Sequence, residues 1–519
     1  MKKKNKKILM IIMAVGFGAI MVGSSTVALF GGFGSPRTAQ TTGTTITGTP
    51  ADNYKDKDRP TFCETSDAKS NKYITEFKIP TACTQPLGIT TDPNGNVWFA
   101  ESNTGKIAKF DPSTKNFTEY TNPLWQSHEK SMMWGIGHAP DGTIWYTDSG
   151  HNLIWKFSPN DKKYANFNYP ITLGQKETFP QMLVVNGKEI LINDFVGRKI
   201  TSFNLDQVGS TIQYSTISSP GNYNFTSDMA VDSNGKIWYT VWIYQQGGNL
   251  VRYDPQIGNK TQFNLPPGIL APNGISIDKD GKIWVTDTAS SIFFSFDQQS
   301  QQFTRFITSM PAESTYGNAS GLIKTPISRP YWNQIDNNGR IWFNEQVANR
   351  IAVFDPAKGS LVEYQVPSTN PNWSDCGALQ DCGVAQVLDF TINDDMVWFT
   401  EWVENNIGFL DPKVPLPIAV SATPADITLH RGQNSTVSFT ITPNEQIVDP
   451  VTVVTSNTAN TNDIIVSGNN NQVTMTGQPK TVSVSISADN FAFTGTYKVL
   501  IGARYHEVTI SKYVTVTIK

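Results

Sequence analysis

Charge is scarce in this chain, and so are the residues that most often do chemistry. Asp, Glu, Lys and Arg make up only 16% of 519 residues, and the formal net charge is −3. Without the five lysines among residues 2–7, the rest carries 36 basic against 44 acidic residues, a net −8. That balance argues against nucleic acid or an anionic membrane surface as partner. There are five histidines and four cysteines. The cysteines fall in two close pairs, Cys63/Cys83 and Cys376/Cys382, with no CxxC spacing and no histidine nearby in sequence. A zinc site is therefore not expected. Close pairs in an exported chain read as disulfides, Cys63–Cys83 and Cys376–Cys382.

Export is expected from the start of the sequence. Lys2, Lys3, Lys4, Lys6 and Lys7 precede an uncharged, mostly apolar run over residues 8–30. As a helix those 23 residues would span roughly 35 Å, enough to cross a hydrocarbon core of about 30 Å. The length favours a signal anchor over a cleaved signal, although Val22-Gly23-Ser24 offers a cleavage site. The lysines place the body outside the cytoplasm, membrane-bound if the helix stays and secreted if it is cut. Residues 31–72, rich in Gly, Thr and Pro and then charged, read as a flexible linker.

What is abundant is a repeat. TTDPNGNVWFA (90–100) returns as APDGTIWYTD (139–148), VDSNGKIWYT (231–240), IDKDGKIWVTD (277–287), IDNNGRIWFNE (335–345) and NDDMVWFTE (393–401), with a degenerate copy at VNGKEILIND (185–194). Trp98, Trp145, Leu191, Trp238, Trp284, Trp342 and Trp398 mark seven units, spaced by 46–47 residues for the first five and then by 58 and 56. Each unit reads as four strands, with Asn-Gly or Asp-Gly suited to a tight hairpin and Asp-Pro to the next turn. That is a propeller blade. The seventh unit stops after Asp411-Pro412 without a fourth strand, and the missing phrase, ITEFKIP (74–80), stands ahead of unit one. It is expected to complete the last blade and close the ring. The fold class is thus all-β: a seven-bladed β-propeller over 73–412. The six tryptophans are expected between sheets, and the acids three residues after them in the scaffold. From 413 to 519, Thr and Ser alternate with Val and Ile, as in an immunoglobulin-like β-sandwich.

The blade phrases Val397-Trp398-Phe399-Thr400-Glu401 with Asn406-Ile407-Gly408, and Ile341-Trp342-Phe343-Asn344-Glu345 with Asn349-Arg350-Ile351, resemble the virginiamycin B lyase (streptogramin lyase) family of seven-bladed propellers. The resemblance implies elimination across an ester of a cyclic depsipeptide, with Mg²⁺ polarising the carbonyl and a histidine base opening the last blade, beside acidic metal ligands. Here that stretch is Gly383-Val384-Ala385-Gln386-Val387-Leu388-Asp389, with no histidine. The blade openings carry Leu87, Trp134, Gln181, Ser227, Asn273, Tyr331 and, with a slip in register, Gln386. His128 lies in a loop before blade two. No catalytic residue is carried over.

The expectation is a surface-displayed propeller that binds a glycan, a peptide or a protein. Its candidate channel mouth is Trp134, Gln181, Ser227, Asp228, Asn273, Tyr331, Asn333 and Gln386. Two enzymatic alternatives stand beside it. One is a virginiamycin B lyase-type C–O lyase with displaced catalytic groups. The other is a metal-dependent lactonase, to whose ligand set Asp228, Asn273 and Asp389 would contribute.

Overall fold

The repeated phrase folds as a self-contained corner. In blade one Asp92 Oδ1 accepts from the backbone N–H of Asn94 and Asn96 at 2.9 and 3.0 Å, and its Oδ2 accepts the Trp98 indole N–H at 2.9 Å. Asp232, Asp278 and Asp336 do the same for Trp238, Trp284 and Trp342. Gly95, with φ +80°, supplies the left-handed residue of the turn. In blade two Ala139 replaces the aspartate, and Thr143 Oγ1 takes the Trp145 indole at 2.9 Å.

The computed structural model describes residues 63–127, 131–171, 178–221, 224–243, 247–316, 327–374, 376, 379, 382–459, 463–468 and 472–519. The apolar run 8–30, most of the expected linker and His128 lie outside them. Among the described residues no helix is long and apolar enough to cross a membrane.

Seven four-stranded antiparallel units follow one another along the chain. The first comprises Pro86–Thr91, Val97–Glu101, Lys106–Asp111 and Asn116–Tyr120. Neighbouring blades are held by aromatic pairs. Five of the six repeat tryptophans pack on a phenylalanine of the next blade: Trp98 on Phe157, Trp145 on Phe203, Trp238 on Phe296, Trp284 on Phe354 and Trp398 on Phe110, with ring centres 5.2–6.2 Å apart. The innermost strands pack edge to edge, and Pro86–Thr91 lies against Val387–Asn393 to close the circle. A Cβ on Gly88 would stand 2.6 Å from the Trp134 carbonyl oxygen, so this closeness depends on glycine.

The ring closes as the sequence suggests. Ile74–Lys78 is the outermost strand of blade seven, running antiparallel to Asn406–Leu410 from Ile74↔Leu410 to Lys78↔Asn406. The Cys63–Cys83 and Cys376–Cys382 disulfides are both formed. Residues 63–72, the end of the stretch read as a linker, are bound to blade seven. Glu404 accepts from the backbone N–H and hydroxyl groups of Thr65 and Ser66, and Glu76 accepts from the Lys69 backbone N–H at 2.8 Å.

After Leu410 the chain builds two further sheets. One contains Ile418–Thr423, Asn434–Pro443, Lys480–Ala488 and Ile464–Gly468. The other contains Asp426–Leu429, Val508–Ile518, Gly495–Tyr505, Val451–Asn457 and Gln472–Val473. Phe439 and Val484 of the first share a core with Val499 and Val514 of the second. The second sheet is continuous with the propeller. Val508–Ile518 pairs with Ser360–Gln365, the outer strand of blade six, from Tyr364↔Val508 to Ser360↔Lys512. Tyr513 donates to the Ile307 carbonyl at 2.6 Å, and Arg504 Nη2 to that of Met310 at 2.9 Å.

Candidate functional site

At the end of the ring where the innermost strands begin, the blade pattern breaks in a regular way. In six blades the pairing of the first two strands slips by a bulge, between Pro86/Ile89, Pro180/Leu183, Thr226/Met229, Pro272/Ile275, Pro330/Asn333 and Val387/Phe390. Each bulge frees two consecutive side chains from the ladder. The first residues of the pairs are Leu87, Gln181, Ser227, Asn273, Tyr331 and Leu388. Trp134 takes this place in blade two. The second residues include Asp228, Trp332 and Asp389. This corrects the register for blade seven. The counterpart of Tyr331 is Leu388, while Gln386, with φ +57°, stands with Arg329 and Gln85, at φ +57° and +52°, just before the strand.

The bulges are pinned across blades. Thr147 donates to the Gln181 carbonyl at 2.8 Å, Thr240 to that of Asn273 at 2.8 Å, and Thr400 to that of Leu87 at 2.7 Å. The acids one residue further on secure the connecting loops. Asp287 accepts the Ala271 N–H at 2.7 Å, and Asp194 accepts those of Phe179 and Gly197 at 2.7 Å. Glu345 meets Arg350 at 2.6 Å. In blade two Asp148 holds His151 Nδ1 at 2.8 Å, and Ser131 Oγ lies 3.2 Å from that same nitrogen. A serine nucleophile needs one ring nitrogen for itself and the other for the aspartate, so this trio is a loop tie. Burial pushes the carboxyl of Glu101 up to about 8 and that of Asp194 up to about 6.

All eight candidate residues of the channel mouth are buried, Asp228 being the most exposed at 7%. Trp134 of blade two reaches across to blade six, with ring centres 5.9 Å from Tyr331 and 6.2 Å from Trp332. Tyr331 and Trp332 meet edge to face at 4.7 Å. Ser227 donates to Asn273 Oδ1, and Asn333 Oδ1 accepts from Ser276. Asn193 donates to Gln181 Oε1 at 3.3 Å. Gln386 Oε1 accepts from Gln346, whose own Oε1 accepts from Arg329.

Several polar groups here have no partner among the described residues. The indole N–H of Trp134, Trp332, Trp373 and Trp402 and the amide nitrogens of Asn273 and Gln386 are buried without an acceptor. Trp373 and Trp402 stack edge to face at 5.2 Å, and the Trp402 backbone N–H bonds to the Gln386 carbonyl at 3.0 Å. Six donors without acceptors are costly, since each unmade bond forfeits about 1–3 kcal/mol. Trp332, Trp373 and Trp402 were not singled out from sequence. The adjacent aromatics Tyr331-Trp332 at a blade opening were the available signal.

Asp228 and Asp389 occupy equivalent bulges. Asp228 accepts from Met229 N at 2.8 Å and Ile275 N at 3.0 Å, and Asp389 from Phe390 N at 2.9 Å and Ile89 N at 3.1 Å. Each staples its blade to the next. Burial pushes Asp228 up to about 7 and raises Asp389 well above the usual carboxylate range. Each oxygen of both thus accepts one backbone N–H, and among the described residues no three His, Cys, Asp or Glu converge as a metal would require. The donor set does not fit the Mg²⁺ that the lyase resemblance implies, or the lactonase ion.

Comparison with known proteins agrees with this architecture. A sequence model of the virginiamycin B lyase family matches residues 69–294. A streptogramin B lyase structure is 22% identical, aligning 65% of this chain with 97% of its own at a TM-score of 0.51. Virginiamycin B lyase from Staphylococcus aureus is 19% identical, with 66% and 99% covered and a TM-score of 0.51. A catalytically inactive variant of the S. aureus enzyme, solved with quinupristin, is 20% identical, with 66% and 99% covered and a TM-score of 0.50. No curated protein matches the chain. The body of this chain is a seven-bladed β-propeller that resembles the virginiamycin B lyase family, whose model its residues 69–294 match.

Proposed function

We propose that this protein is an exported propeller that binds an acceptor-rich ligand, a glycan or a peptide, at the blade-opening end of its axis without transforming it. The observation that carries the reading is the set of buried N–H donors on Trp134, Trp332, Trp373, Trp402, Asn273 and Gln386, which have no acceptor among the described residues, around aromatic faces. Indole and amide donors beside aromatic rings suit sugar hydroxyls or peptide carbonyls. The blade-seven opening, residues 383–389, offers Gln386 and Asp389 and no histidine. Gln386 has no basic group, and both oxygens of Asp389 are engaged, so elimination lacks a proton acceptor there. Two disulfides support export. The run 8–30 would hold the protein in the membrane, and residues 413–519 would form an immunoglobulin-like spacer rigidly joined to blade six.

Entry of a ligand requires the aromatic side chains to part, so binding should be slow and should change tryptophan emission. The test is a fluorescence screen of the purified protein against acidic and neutral glycans, peptides and lactones, with recovery of each ligand afterwards. A saturable emission change lost in Trp332→Phe and Gln386→Leu, with ligand recovered intact, supports the reading. A ligand recovered altered contradicts it.

A further inference from the structure

The C-terminal sheets end in a feature that the axial site does not involve. Between strands Lys480–Ala488 and Gly495–Tyr505, a short loop exposes Phe491 at 86% and Phe493 at 66%, while Ala492 between them is fully buried. Alternation thus turns both rings outward. Ile465, 52% exposed and paired with Ser487, extends the apolar surface towards the same loop.

The loop is built to hold this shape. Phe491 N donates to Asp489 Oδ1 at 2.8 Å, Ala492 N to the Asp489 carbonyl at 3.2 Å, and Phe493 N to Asp463 Oδ2 at 3.3 Å. Arg431 Nε donates to the Ala492 carbonyl at 2.8 Å, and the Tyr497 hydroxyl to that of Phe493 at 2.9 Å. Five polar backbone groups at the tip therefore have partners inside the protein. A water-exposed loop does not need this, whereas hydrocarbon demands it, because lipid offers no partner to a backbone N–H or carbonyl.

The loop also protrudes. Lys512 pairs with Ser360 at the end of blade six's outer strand, and Ile518, six residues on, pairs with Gly495 beside the loop. At about 3.3 Å per residue the tip stands roughly 20 Å beyond the propeller, at the end away from the blade openings. It is convex, so it fits a yielding surface better than a pocket.

We infer that the Phe491–Phe493 loop is a membrane-contact tip that inserts its two rings into the interfacial region of a bilayer. Arg431 stands behind the rings at headgroup level. The net −8 of the exported part disfavours attraction to anionic lipid, so contact rests on the apolar rings and zwitterionic lipid suffices. Two rings alone bind weakly and reversibly. With residues 8–30 in the same bilayer the contact becomes intramolecular, at a raised effective concentration. Residues 31–62 are 32 in number, a length whose covalent limit is about 110 Å, enough for the body to lie with the tip on the membrane.

The experiment uses the full chain reconstituted in phosphatidylcholine vesicles. Among the described residues no cysteine is free, so Phe491→Cys provides a specific attachment point for a nitroxide. Leu124→Cys, an exposed position at the blade-opening end, is the comparison. Collision with oxygen, which concentrates among acyl chains, is measured against collision with a water-soluble nickel complex. The expected result is a label at 491 richer in oxygen than in nickel contact, the reverse at 124, and a return of 491 to nickel access when Phe493→Ser is added. Full nickel access at 491 overturns the inference. So does loss of both collisions together, which would mean that protein covers the tip.

Discussion

Replacing Glu101 by Gln should make the protein's stability less dependent on pH. Glu101 ends the second strand of blade one, fully buried, with Oε2 accepting from Thr104 Oγ1 at 2.8 Å. Burial, reinforced by the neighbouring Glu119 carboxylate, raises its carboxyl from 4.5 to about 8, while Lys106, 3.2 Å from Glu119, opposes the rise. Between those two values the folded protein holds a proton that the unfolded chain has released. Stability is therefore full below about pH 4.5 and falls as pH rises through about 8. At 1.36 kcal/mol per unit the upper bound on the loss is about 5 kcal/mol. Water penetration around the ionised group reduces it to about half. Gln keeps the shape and cannot ionise. Urea midpoints should nearly coincide for the two proteins at pH 5, with the variant ahead by about 2–5 kcal/mol at pH 9. A difference that stays constant with pH, or favours the wild type at pH 9, would refute the buried-acid account. Asp194 and Asp228, up to about 6 and 7, act in the same direction, as do Asp287 and Asp389.

Two further outcomes concern ring closure. Gly408→Ala would place a Cβ 2.1 Å from the Phe399 ring, so blade seven should lose about 1–3 kcal/mol, read as a lower urea midpoint with an unchanged slope. Deleting residues 73–80 removes the strand paired with Asn406–Leu410 and exposes an edge. Light scattering should show oligomers, and a monomer with an unchanged melting temperature would contradict the closure.

Much of the fold was legible because its determinants are local. The corner from Asp92 to Trp98 is made within seven residues, so its phrase recurs wherever a blade does. The strand Ile74–Lys78 was legible as the phrase missing from unit seven. The union of blade six with the C-terminal sheets was not. Residues about 150 positions apart pair there, as in Ser360↔Lys512, and alternation marks a strand without naming its partner. At the site, Leu87 to Tyr331 stand in register with the bulges, but Gln386 lies two residues ahead of the bulge position, Leu388. No residue pattern announces a bulge, and the slip appears only when Val387 is seen opposite Glu401. Burial of Trp134 against Tyr331 and Trp332 arises across the axis, where neighbours in space are far apart in sequence.

The central claim, binding without turnover, is tested most directly by incubating the purified protein with streptogramin B and excess Mg²⁺ and following the antibiotic by mass spectrometry. Elimination leaves the mass unchanged but linearises the ring, which alters its fragmentation. The described residues offer no converging metal ligands and the blade-seven opening no histidine, so the predicted result is cyclic antibiotic recovered intact at every time point. Multiple turnovers abolished by a chelator would contradict it.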